Sequence, residues 1–117
     1  MSELSREELL RQLIDGHVSS ADIAERLGAV GWDSDREIVT LTRSDALAIL
    51  SRFIRGEVKA DEVGEWANAI EGREDIGYEP GSEATLSDLV FELANPEIST
   101  ELTAERAEDW ARQLRVA

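Results

Sequence analysis

Leu9, Leu10, Leu13 and Ile14 recur at i, i+1, i+4 and i+5, the spacing of one apolar stripe on an α-helix. Gly16 follows, then an apolar corner residue, Val18, and a second apolar rhythm at Ile23 and Leu27. Forty residues later the pattern returns, and LLRQLIDGHVSSADIAERL aligns without a gap on ILSRFIRGEVKADEVGEWA. Leu9, Leu10, Leu13 and Ile14 fall on Ile49, Leu50, Phe53 and Ile54, Gly16 on Gly56, Val18 on Val58, and Glu25 on Glu65. The repeated unit is a helical hairpin. A glycine just past the last apolar residue takes the left-handed conformation that satisfies the final carbonyls, and the residue in the corner packs on both helices.

The pattern predicts six helices in three such units, at about 5–28, 43–71 and 84–115, in a single all-α domain folded as a bundle. The first helix spans 5–15 with Ser5 and Glu8 in capping-box spacing, and the second runs from Ser19 or Ser20 to Gly28. The third is capped by Thr42 with Asp45 three residues on and runs to Arg55. The fourth takes residues 61–71, with Val63, Trp66, Ala67 and Ile70 on its inner face. The fifth, capped by Thr85, ends at Asn95-Pro96, and the sixth opens at Thr103 with Ala107, Trp110, Ala111 and Leu114 inward. Ile98 takes the corner position of Val18 and Val58, which makes the last pair a degraded third copy.

Two stretches break the helical rhythm. In residues 29–41 Trp32 is expected to fold back over the first hairpin, and β-branched Ile38-Val39-Thr40 suggests a short extended segment near residues 37–41. Asp33, Asp35 and Glu37 alternate as in a calcium loop, but Ile38 stands where glycine is needed and Ser44 where a bidentate glutamate is needed, so that reading fails. Residues 71–83, around EGREDIGYEPGS, show no periodicity and read as an exposed loop. Ile76 and Tyr78 either pin it to the body or form the apolar centre of a patch ringed by acids.

Charge changes the picture more than composition does. The formal net charge is −14 over 117 residues, and sixteen of the acidic residues but only three basic ones lie between Glu57 and Asp109. Such a field repels phosphate backbones and anionic membranes and speeds encounter with a basic partner; it also serves solubility. There is no cysteine, hence no disulfide, thiolate metal site or cysteine nucleophile. The N-terminal MSELSREELL lacks the apolar run of a signal peptide, which places the expected location in the cytoplasm. His17 is the single histidine, sits in a corner, and has no acid, base or metal partner written near it. With no nucleophile triad, phosphate loop or dinucleotide fingerprint, the expectation is a non-enzyme with no cofactor and no metal.

The run Phe53-Ile54-Arg55-Gly56-Glu57-Val58-Lys59-Ala60-Asp61-Glu62-Val63 resembles the helix, Gly-x-Ile/Val, small residue, acid and apolar pattern of the colicin D type bacteriocin immunity proteins. The resemblance implies an all-helical acidic domain that binds a toxin's ribonuclease domain and covers the basic surface on which a tRNA would lie. The present chain has an additional N-terminal hairpin and the 71–83 loop. Two readings follow. In one, a basic toxin or nuclease is bound through Asp61, Glu62, Glu65, Glu74, Asp75, Tyr78 and Glu79. In the other, the chain self-associates as a homodimer or larger assembly through an apolar patch of Trp32, Ile76 and Tyr78, and its acidity serves solubility alone.

Overall fold

The glycine corner after the third helix shows how the repeated unit is built. That helix, α3 (Arg43–Ile54), begins with the expected capping box: the Thr42 hydroxyl accepts from the Asp45 amide at 3.1 Å, and the Asp45 carboxylate accepts from the Thr42 amide at 3.0 Å. It ends at Arg55, and Gly56 follows with φ of 79°. Gly56 N–H donates to Phe53 O at 3.0 Å and Glu57 N–H to Arg52 O at 2.8 Å, the paired bonds of a Schellman motif. Val58 is half-buried against the core.

The computed structural model describes residues 6–16, 20–29, 38–71, 73, 75–98 and 101–116. Among these, the remaining helices are α1 (Arg6–Asp15), α2 (Ser20–Ala29), α4 (Ala60–Ile70), α5 (Glu83–Ala94) and α6 (Ala104–Val116). A strand β1 (Val39–Leu41) precedes α3, and β2 (Ile76–Tyr78) lies between α4 and α5. The protein is thus mostly helical, with a two-stranded parallel sheet. No described helix is long and apolar enough to cross a membrane. Ser5, His17, Val18, Ser19, Trp32 and Glu74 lie outside the described residues, and with them the expectations placed on them.

The apolar stripes form one continuous core. It takes Leu9, Leu10, Leu13 and Ile14 from α1, Ile49 and Leu50 from α3, Trp66 and Ile70 from α4, Leu86 and Leu89 from α5, and Trp110 and Leu114 from α6. Chain neighbours α1 and α2 pack on each other, but α4 packs chiefly on α5 and α3 chiefly on α6. The outer edges of the α3 stripe are less covered than its centre: Phe53 is partly buried and Ile54 is exposed. Helix α1 is fastened by its C-terminal carbonyls, which a helix leaves without internal partners. The buried Trp66 indole donates from Nε1 to Ile14 O at 3.1 Å, and Arg52 donates from one guanidinium nitrogen to Asp15 O at 3.3 Å and Gly16 O at 3.1 Å.

The segment 71–83 corrects the expectation of an exposed loop. Val39 pairs with Ile76, Thr40 with Gly77 and Leu41 with Tyr78 in parallel register. Asp75 O accepts from Ile38 N–H at 2.9 Å and Val39 N–H at 3.2 Å, and Glu79 N–H donates to Leu41 O at 3.0 Å. A three-residue strand is too short to display a period-2 pattern, and its partner lies far away in sequence, so local reading finds only β1.

Three smaller expectations also change. Helix α2 runs through Gly28 to Ala29, because an interior glycine weakens a helix by only about 1 kcal/mol and does not by itself end one. Helix α5 starts at Glu83, with Ser82 as its N-cap and Thr85 inside the first turn. Gly81 at φ 90° turns the chain early, and its amide donates to the Glu83 carboxylate at 2.7 Å. Ile98, expected in the corner position, is 70% exposed and is not packed on the core as Val58 is.

Candidate protein-binding groove

Of the seven residues singled out by sequence, the six that are described divide by location. Asp75 is fully buried and accepts from Nε and one terminal nitrogen of the Arg73 guanidinium, each 2.8 Å from one carboxylate oxygen. Glu79 accepts from the backbone N–H of Arg43 at 3.0 Å and from its Nε at 2.9 Å. That places a carboxylate at the N-terminus of α3, where the helix dipole favours it. The backbone bond, followed by the Arg43 guanidinium, holds the Glu79 carboxyl below the usual carboxylate range. Tyr78 is half-buried against the core, and burial, reinforced by the charge of Glu71, raises its hydroxyl above the usual range. Glu79 thus joins the end of β2 to α3, Tyr78 packs on the core, and Asp75 is tied to Arg73. Ile76 is buried beside them, so the apolar self-association patch expected around it has no exposed isoleucine.

The other described members lie on α4. Its inner face is Val63, Trp66, Ala67 and Ile70, so the 3.6-residue period turns Asp61, Glu65 and Asn68 outward. Glu62, also exposed, accepts from Lys59 N–H at 2.9 Å and so closes the start of the helix. Asp61 and Glu65 form one rim of a groove of about 720 Å³ between α4 and the connection from α5 to α6. Glu97 and Glu101 form part of its lining from that connection, and Leu93, Ala94, Pro96 and Leu102 supply apolar surface. No cation among the described residues pairs with these four carboxylates. Sequence reasoning missed Glu97 and Glu101. Their only signal was two more acids in a segment already full of them, and nothing local ties that segment to α4.

The connection is held by the ends of its helices. Glu92 on α5 accepts from Arg106 at 2.8 and 2.6 Å and from Trp110 Nε1 at 2.7 Å, while the Arg106 guanidinium lies 5.0 Å from the Trp110 ring centroid. The Arg106 bonds, aided by the indole, pull the Glu92 carboxyl below its usual range, and Glu92 in turn raises Arg106. At the end of α5, the Asn95 amide donates to Phe91 O at 2.9 Å and reaches the Glu71 carboxylate at 3.3 Å, linking α5 back to the end of α4. One rim of the groove is therefore a helix, and the other lies between residues held by these bonds.

Among the described residues there is no group of three or more histidine, aspartate or glutamate side chains placed to hold a metal ion. What the arrangement offers is an apolar floor between anionic edges. No protein-family model, curated protein or solved structure matches the chain.

Proposed function

We propose that this chain is a non-enzymatic, acidic protein-binding module of the immunity type, which neutralises a basic toxin or nuclease in the bacterial cytoplasm by covering its cationic surface. The observation that carries the reading is the groove, whose four carboxylates have no cation partner among the described residues. Glu79, Glu92 and Asp75, by contrast, are each bound to an arginine of the chain. The strongly negative stretch from Glu57 to Asp109 adds long-range attraction for a basic surface and works against nucleic acid as a direct ligand. Architecture enters the same proposal: three hairpin units exchange helix partners to make one body, which leaves the outer face of α4 clear of other helices.

The test is a pull-down with the tagged protein from the native lysate, washed in parallel at low and high salt. A basic nuclease or toxin domain should be retained at low salt and released at high salt, and the purified protein should inhibit its activity in the same salt-dependent way. Retention of nothing but untagged copies of the chain itself would sink this reading in favour of self-association.

A further inference from the structure

Gly64 lies inside α4, where glycine is a poor helix former. Its backbone does not take the left-handed conformation that calls for glycine. A Cβ built on it would meet Leu93 O at 3.4 Å, an ordinary contact, so an alanine fits. Neither a left-handed backbone nor a clash requires glycine at this position. Its lack of a side chain does deepen the groove, between the exposed carboxylates Asp61 and Glu65, one helical turn apart.

From this geometry we propose that the groove receives one face of a basic amphipathic helix from the partner. An apolar side chain of that helix enters above Gly64 and rests on Leu93 and Leu102, and arginine or lysine residues four apart pair with Asp61 and Glu65. The i, i+4 separation of cations on one helix matches that of the two acids on α4, about 6 Å on each. Glu97 and Glu101 take further cations across the groove. The mode is helix-in-groove recognition, in which anchors fix the register and charge steers the approach. It rests on the protein-binding reading above and names the shape of what is bound.

The probe is a fluorescein-labelled 18-residue peptide with leucines on one helical face and arginines at i, i+4 spacing beside it. Its control is a scrambled peptide of the same composition, and both are titrated with the full chain by fluorescence anisotropy. The patterned peptide is expected to bind at least tenfold more tightly. Gly64→Leu, which fills the groove without altering net charge, is expected to remove most of that preference, as is the surface pair Glu97→Gln/Glu101→Gln. Circular dichroism establishes that each variant is folded, and Gly64→Ala, with an expected loss of about threefold, replaces Gly64→Leu if the latter does not fold. Equal binding of the scrambled peptide, or unchanged affinity in the folded groove variants, overturns the proposal. If the groove fails while a salt-sensitive basic partner is still retained from lysate, the functional reading stands without it. If the peptide binds as expected and no basic partner is retained, the groove stands and the immunity-type function falls.

Discussion

Gly16 and Gly56 occupy the same position in two copies of one motif and adopt nearly the same backbone, with φ of 70° and 79°. Their surroundings have nothing in common. A Cβ on Gly56 would meet nothing within 4 Å, whereas one on Gly16 would lie 3.1 Å from Ile49 Cδ1 and 3.2 Å from an Arg52 guanidinium nitrogen. The first corner is roofed by α3 and α4, whose Arg52 and Trp66 take up the last carbonyls of α1; the second satisfies its own carbonyls through Gly56 and Glu57 and faces open space. A repeated local sequence thus repeats a conformation and leaves the tertiary role of each copy undetermined. One corner is a joint between distant parts of the chain, and the other is only a turn.

The widest test of that difference is alanine at each glycine. Gly56→Ala should cost about 1 kcal/mol, the penalty of a left-handed backbone for a residue with a Cβ. Gly16→Ala carries the same penalty and also crowds Ile49 and Arg52, for about 2–3 kcal/mol in all. Urea unfolding of the two variants measures both, and equal losses would mean that the first corner is not packed as described.

Trp66→Phe sharpens the comparison by removing the indole donor that meets Ile14 O. The loss should be about 1–2 kcal/mol, since a buried carbonyl is left without its partner. In double-mutant cycles this change should couple to Gly16→Ala and be additive with Gly56→Ala to within about 0.5 kcal/mol.

The smallest effect concerns pH. The joint at Gly16 is made of backbone carbonyl acceptors met by an indole and a guanidinium, with no carboxylate among these bonds. The α5–α6 joint depends on the Glu92 carboxylate, whose folded pKa is depressed. The unfolded chain therefore binds this proton more readily than the folded one. The contribution of Glu92 is fully present above the ordinary carboxylate value of about 4.3 and is lost as pH falls through the depressed value. Glu92→Gln should cost under about 1 kcal/mol at neutral pH and should make the acid side of the stability curve shallower. Trp66→Phe should leave the slope of that curve unchanged, and thermal melts from pH 3 to pH 7 compare the two.

Much of the helical fold was legible because helices are written in short windows. The Thr42 and Asp45 spacing became a real capping box, the stripe from Val63 to Ile70 became the inner face of α4, and Trp66 proved to be core. The candidate site was half legible. Asp61 and Glu65 could be placed on an outer face from period alone, while Asp75 and Glu79 looked the same in sequence and turned out to be bound to Arg73 and Arg43. An acidic residue in a run of acids gives no sign of whether an arginine will reach it, since the Arg43–Glu79 pair spans 36 positions.

By itself, then, the sequence determined what interactions within about five residues decide: where helices start, which faces are apolar, and that the chain turns through glycine at 16 and 56. Tertiary structure alone decided the pairing of β1 with β2, the packing of α3 on α6 and α4 on α5, the burial of Asp75, and the meeting of Glu97 and Glu101 with α4 across one groove. Each of these joins segments whose local patterns are complete without the other. Only the shared burial of their apolar faces selects the pairing, and that free energy belongs to the whole core rather than to any stretch of it.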